Sequence, residues 1–475
     1  MNMKRLKSDY KNTIYVLFAL LIAFTYYKLH LIYRPYFIDD GWILARVYNY
    51  YVNGIERDVV FGSSVTLGIG TFEMRVFGKI FSYLYGFILD LLGWNKSNSH
   101  CISIVFLLFT AIVWLRIIIH LGLTSYAAIS FSLTMLYTEV FFGVANGSRP
   151  EAFILFLSSL SLYYALKQGY FISILLAMIA LETHPAGSIS FFMVLATFAD
   201  QKNRLYVKKQ LKRVIIHSSS ALVLGLLIYL FLHYKHVQLL SEMPRGVGSL
   251  MQPKHNFLYV HFFMTKYLRH LPELILITGV LIFYIAKGYY RQTPFIFALV
   301  TVMIMYIIVI NRPNPQYAVL VYPPFLLMLI WMAEHIKRLT AFTVLVILFF
   351  TPQYIFVFYK NFQFKNFDNY LAIIEQTVPD DKKPVVGSAN DWFAFKERNF
   401  YSLCYTERIP SIHNDFYLIE HSLYFENYHY NYETNCSNII YMNEAFSKDP
   451  ITQFNYNNDI ITVSYMKKKF QNLKR

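Results

Sequence analysis

The sequence predicts a polytopic α-helical membrane protein of about eleven transmembrane helices, followed by a small C-terminal α/β extracytoplasmic domain. Three observations carry this. Apolar runs of about 18–22 residues recur along most of the chain, the length a hydrocarbon core demands of a helix. Of 475 residues, 56% are hydrophobic and only 15% charged, so few helices have a polar face to turn towards water. Beyond about residue 360 the composition changes: charge is roughly balanced, Tyr and Asn are abundant, and short β-like runs replace the long apolar ones.

The spans read from the sequence are 13–32, 99–119, 123–142, 151–166, 169–183, 186–199, 213–233, 272–287, 294–311, 317–333 and 340–358. Those at 169–183 and 186–199 are short and stay open to tilted, broken or re-entrant readings. Lys4, Arg5, Lys7 and Lys11 precede the first span, which reads as a retained helix and places the N-terminus in the cytoplasm. With this count the basic stretches "DQKNRLYVKKQLKR" (200–213), "AKGYYR" (286–291) and "EHIKR" (334–338) also fall inside. The net charge of +15 therefore speaks to orientation and not to nucleic acid. Counting "VFGKIFSYLYGFILDLLGW" (76–94) as a span would put all these clusters outside; with Lys79 and Asp90 in it, it reads as an amphipathic helix at the outer interface.

The transmembrane portion is thus 1–358, with a first outer loop at 33–98 and a second at 234–271, and the extracytoplasmic domain is 359–475. Within that domain "DNYLAIIEQTV" (368–378) reads as helix, and "KPVVGSA" (383–389), "SNIIYMN" (437–443) and "DIITVSYM" (459–466) as strands. Cys404 and Cys436 lie here, and a disulfide between them and a pair of free thiols are both open readings.

In "YRPYFIDDGWILARVYNYYVNG" (33–54) two acids, Asp39 and Asp40, follow directly on the first span. Either suits a helix N-cap. Beside Tyr36, Phe37 and Trp42, a desolvated carboxylate can also become a useful base. Adjacent residues point in different directions on helix or strand, so the two acids divide their roles. One faces a substrate hydroxyl; the other, Asp40 by preference, caps the helix or holds a basic group or cation.

Three further stretches place ionisable groups at the same face. In "ANGSRPEAFILF" (145–156) Pro150 fits a first helical turn, Glu151 suits the positive end of its dipole, and Arg149 can grip a phosphate or simply snorkel. "LETHPAGS" (181–188) brings Glu182 and His184 to a membrane edge, and "NRPNPQYAVLVYPPF" (311–325) adds Arg312. A carboxylate base beside phosphate-binding groups at the lipid boundary suits group transfer from a lipid phosphate carrier, whose phosphate leaves readily.

At these residues the sequence resembles the GT-C superfamily of integral-membrane glycosyltransferases, which includes protein O-mannosyltransferases, lipid A aminoarabinose transferases and cell-wall arabinosyltransferases. The motifs run in order: "FIDDGWILAR", "FGKIFSYLYGFILDLLGW", "SRPEAF", "THPAG" and "QYAVLVYPPF". The resemblance implies a GT-C fold in the cell's inner (plasma) membrane. It implies a polyprenyl-phosphate sugar as donor, a glycan, lipid or protein acceptor, and inverting transfer on the outer face. Asp39 would be the general base on the acceptor hydroxyl and Asp40 an assisting acid, with Trp42 and Glu151 positioning the acceptor. Arg149, His184 and Arg312 would serve the donor phosphate or sugar. Some relatives use a divalent cation and others do not, and no metal-ligand spacing here settles it. The C-terminal domain matches no carbohydrate-binding module. A transporter or flippase of lipid-linked saccharide is the alternative, predicting ionisable groups near mid-membrane and broken helices in paired halves.

Overall fold

Helix length is the first constraint that the fold has to satisfy. The computed structural model describes residues 38–54, 78–138, 141, 144–145, 147–233, 271–309, 318–362, 367–402, 414–421, 445–456 and 459–469. The expected span 13–32, the expected loop 234–271 up to residue 270, Arg312, the expected strand 437–443, Cys404 and Cys436 lie outside the described residues, as do the side chains of Asp39 and Trp42. A short helix, α1 (Ile38–Asn53), carries the two acids and stops at Gly54, whose φ of 63° closes it with a left-handed residue. Helix α2 (Lys79–Leu92) has 14 residues, about 21 Å, too short for a core of about 30 Å. It buries Phe81, Tyr85 and Leu89 while Tyr83, Phe87 and Leu91 stay exposed, the disposition of an interfacial helix that packs on protein along one side.

The bundle follows: α3 (Lys96–His120), α4 (Ser125–Tyr137), α5 (Glu151–Leu166), α6 (Tyr170–Thr183), α7 (Ile189–Ala196), α8 (Gln201–Lys209), α9 (Leu211–His233), α10 (Leu271–Ala286), α11 (Pro294–Val309), α12 (Ala318–His335) and α13 (Leu339–Phe362). Apart from α8, which lies in the basic stretch 200–213 that was expected as a loop, their bounds fall within a few residues of the expected spans, and α5 coincides with 151–166. The count of eleven full crossings is not established by length. Among the described residues α3 and α9 alone combine the length and apolar composition of a complete crossing, and most of the rest are shorter apolar helices. The expected span 186–199 is divided between a 3-10 turn (Pro185–Ser188), α7 and a second 3-10 turn (Thr197–Ala199). Exposed Leu222, Val223, Leu226, Leu227 and Phe231 on α9 form an apolar face that hydrocarbon, not water, accommodates.

Small polar residues let the helices approach. Ser158 and Ser190 share a 2.7 Å hydrogen bond between α5 and α7, and Ser161 and Ser173 donate to each other's carbonyls at 2.8 Å between α5 and α6. The indole of Trp114, fully buried on α3, donates to Ser159 Oγ at 2.9 Å and stacks on Phe131 of α4 at 5.3 Å. Pro323 and Pro324 lie inside α12 and Pro352 inside α13, positions that packed neighbouring helices tolerate in a membrane bundle.

After α13 the chain forms α14 (Phe367–Thr377) and a five-stranded sheet built from β1 (Val385–Gly387), β2 (Phe400–Ser402), β3 (Phe416–His421), β4 (Phe446–Tyr456) and β5 (Asp459–Lys468), in the order β2-β1-β3-β5-β4. β1 pairs parallel with β2 and β3; β5 pairs antiparallel with β3 and β4. The α/β character expected of this region is present. The edge strand β4 carries Lys448, Asp449 and Pro450, with a register shift between Pro450 and Thr452, features that blunt an open sheet edge.

Candidate active site

The acid-bearing turn of α1 faces α3 and the segment before α5. Asp40 is fully buried, and its carboxylate accepts the Ser148 N–H at 2.8 Å, meets His100 Nε2 at 3.1 Å and lies 3.7 Å from Lys96 Nζ. Burial alone would push this carboxyl up; His100, Lys96 and the Ser148 amide override it and hold it at about 2. Asp40 is therefore a fixed anion. It sits inside the first turn of α1 instead of ahead of it, so it holds basic groups from α3 and does not act as the helix N-cap. Asp39 occupies the same turn, one residue earlier.

Three hydroxyls place Ser148. Ser99 Oγ of α3 is 2.6 Å from Ser148 Oγ, Ser103 Oγ donates to the Gly147 carbonyl at 2.7 Å, and Tyr85 OH of α2 bridges Ser99 O and Ser103 Oγ at 2.8 Å each. The next residue, Arg149, turns its guanidinium onto the buried Glu151 carboxylate, with Nη2–Oε1 at 2.6 Å and Nε–Oε1 at 2.9 Å. His184 closes the ring. Its Nδ1 accepts the Ala186 N–H at 3.1 Å, and its titration responds to Glu151, Arg149 and Arg46 of α1. Burial, with the two arginines, outweighs Glu151 and pulls His184 down to about 4. At neutral pH it is an uncharged imidazole with its proton on Nε2, a hydrogen-bond donor and not the cation that a phosphate clamp invites one to expect. The turn bearing it is held by Tyr306 of α11, whose OH donates to Ala186 O at 2.8 Å.

Glu182, two residues before, enters a separate structural knot. It accepts the Lys79 N–H at 2.7 Å and meets His233 Nε2 at 3.1 Å, while Lys79 Nζ donates to Leu232 O at 2.7 Å. Gly78 makes this possible: its φ is +67°, and a Cβ there would lie 2.7 Å from Thr183 O. Among the described residues no cluster of three or more His, Cys, Asp or Glu is placed to hold a metal.

Of the residues singled out in the sequence, Asp40, Arg149, Glu151 and His184 occupy one connected region, through the Asp40–Ser148 hydrogen bond and the shared field of Glu151 and Arg149. Lys96, His100, Ser148 and Arg46 were not anticipated. One signal was available: "KSNSH" puts a lysine and a histidine one turn apart at the N-terminal end of an apolar helix, where the dipole disfavours cations unless a buried anion awaits them.

The architecture, a helical bundle with polar groups gathered at the acid-bearing turn and a small mixed α/β unit behind it, is the GT-C fold. Among solved structures it is similar to ArnT from Cupriavidus metallidurans bound to undecaprenyl phosphate, with a TM-score of 0.59 over 95% of this chain and 98% of that one at 11% identity. The apo form of the same protein gives 0.59 at 9% identity, with the same coverage. Arabinosyltransferase EmbB from Mycobacterium smegmatis aligns over 44% of this chain and 20% of its own at a TM-score of 0.32 and 15% identity. No protein-family profile and no curated protein sequence matches the chain.

Proposed function

We propose that this protein is a glycosyltransferase of the inner membrane that moves a sugar from a polyprenyl-phosphate donor to an acceptor hydroxyl at the outer face, with inversion. The observation that carries the proposal is the Asp40–Ser148 hydrogen bond at 2.8 Å. It ties the acid-bearing turn to the residue beside Arg149, so that the expected base and the expected phosphate ligand share one neighbourhood. The GT-C fold supports the reading, and the undecaprenyl phosphate in the ArnT structure supports the class of lipid carrier.

In this mechanism Asp39 takes the proton from the acceptor hydroxyl. The hydroxyl oxygen bonds to the anomeric carbon from the face opposite the phosphate. The bond from that carbon to the phosphate oxygen breaks, and polyprenyl phosphate leaves with the electron pair. Arg149 meets the growing phosphate charge while still held by Glu151, which orients its fork, and His184 donates a neutral hydrogen bond. Asp40 stays ionised throughout and keeps α1 docked on α3. Arg312 and Trp42 are assigned to the donor and the acceptor respectively on the sequence resemblance alone, and the outer placement of the C-terminal domain and the cytoplasmic N-terminus on the distribution of the basic stretches.

The test is a panel of polyprenyl-phosphate sugars incubated with the purified protein in lipid nanodiscs and envelope acceptors. Release of free polyprenyl phosphate coupled to labelled acceptor supports the proposal; a protein that moves intact lipid-linked saccharide across vesicles without cleaving it is a flippase instead.

A further inference from the structure

We propose that the C-terminal α/β unit is part of the catalytic apparatus, with Asn390 as a positioning residue that fixes the acid-bearing turn of α1 through the Gly41 amide. Gly41 lies in the first described turn of α1, one residue after Asp40. Asn390 Oδ1 accepts its N–H at 3.1 Å across 349 residues of sequence, in a buried contact. The 3-10 turn Ala389–Ala394 thus reaches the backbone of the acid-bearing turn directly.

The contact is close enough to exclude any side chain. A Cβ on Gly41 would lie 2.0 Å from the Ala389 carbonyl oxygen, so the backbones touch where Asp40 is followed by Gly41. Two more contacts join the surroundings of Asp40 to the C-terminal unit. Trp392 packs edge-on against Tyr48 at 5.6 Å, and Lys96, 3.7 Å from the Asp40 carboxylate, sits 4.9 Å over the ring of Phe367 at the start of α14. Asp40 thus reaches the C-terminal unit by two routes, one through its neighbour's amide and one through its ionic partner.

The turn itself is held rigidly. Ser388 and Asp391 form a reciprocal capping box. Tyr370 OH donates to Asp391 Oδ1 at 2.6 Å, and His421 lies between Asp391 Oδ2 at 3.1 Å and Asp459 Oδ2 at 2.9 Å. All four side chains are buried. A continuous chain of hydrogen bonds therefore runs from β5 through β3 and Asp391 to the turn, and from Asn390 to α1. Because Asp39 lies two residues before Gly41, the direction of the proposed base depends on this anchor. A displacement of about 1 Å at such a group costs on the order of a hundredfold in rate.

The consequence for turnover rests on the glycosyltransferase reading; the contact rests on the geometry alone, and the experiment separates them. Amide hydrogen exchange of residues 38–48 is measured in the intact protein in nanodiscs for wild type, Asn390→Ala, Asn390→Asp and Gly41→Ala, with residues 151–166 as the internal reference. Asn390→Ala and Gly41→Ala are expected to speed exchange of 38–48 by on the order of tenfold over the reference, and Asn390→Asp, which keeps an accepting oxygen, to restore protection. In the transfer assay Asn390→Ala is expected to lower kcat about tenfold or more with the donor KM unchanged. Unchanged exchange in Asn390→Ala overturns the proposal, as does faster exchange with unaltered turnover. Faster exchange in a protein whose wild type cleaves no polyprenyl-phosphate sugar leaves the anchor standing and removes the glycosyltransferase reading.

Discussion

Asp40 and Asp39 differ by one position in the chain and by everything in their surroundings. Asp40 is buried against Lys96, His100 and the Ser148 amide, so Asp40→Ala leaves two basic groups in a dry site without their anion. It is expected to destabilise the protein by roughly 3–5 kcal/mol, read as a lowered unfolding transition in detergent. The paired change Asp40→Asn with Lys96→Met is expected to recover part of that loss. His184 gives a second expectation at this scale. Its folded pKa of about 4 lies below the ordinary 6.5, so it stays neutral above pH 5. His184→Ala is expected to raise the donor KM about tenfold, the weight of one hydrogen bond, while the pH–rate profile between 5 and 8 keeps its shape. A shifted acid limb in that variant would show His184 titrating in the working range. What the sequence made visible at this scale was residue type and order: the acid pair, Arg149 and His184 announce themselves as ionisable groups at the ends of apolar runs. Their partners do not, because hydroxyls such as Ser99 and Ser103 are ordinary in a membrane helix, and Ser148 in a connecting segment, until folding aims them.

Elements were legible wherever hydrophobic length alone decides. α5, α6 and α9 start and stop where the apolar runs do, and 76–94 proved to hold a 14-residue helix with a packed and an open side. The failures come from interruptions that hydropathy does not weigh. Pro185 and Gly187 lie at the start of the run read as the span 186–199, yet they turn the chain sharply and leave α7 with eight residues. The reason is a backbone approach: a Cβ on Gly187 would lie 2.0 Å from the Ala180 carbonyl oxygen. Gly187→Ala is therefore expected to cost about 1–3 kcal/mol and to displace His184, with a fall in donor affinity larger than in protein yield. Equal stability and affinity in that variant would mean that the turn yields at no cost.

Taken whole, the molecule joins a lipid-embedded bundle to an α/β unit whose own stability is electrostatic in part. Burial lowers the affinity of His421 for its proton, but Asp391 and Asp459 more than reverse this and raise it to about 9. A group whose folded pKa exceeds its unfolded value of about 6.5 stabilises fully below that unfolded value and loses its contribution as pH rises through 9. The C-terminal unit is expected to melt less stably between pH 7 and 10, by an amount on the order of 3 kcal/mol, and His421→Gln to flatten that dependence. None of this long-range architecture was legible in the sequence. "ANDWFA" carries no mark that it docks on a glycine 349 positions earlier, because such contacts are chosen by shape complementarity and leave no local period.

The central claim, that a sugar leaves a polyprenyl phosphate under base catalysis by Asp39, is tested most directly by one comparison. Wild type and Asp39→Asn are each given a radiolabelled polyprenyl-phosphate sugar in nanodiscs, and donor binding and sugar release are measured on the same samples. The account predicts equal donor affinity and equal unfolding temperature, with transfer reduced by about 10²–10⁴-fold in the variant. Undiminished transfer by Asp39→Asn would contradict it.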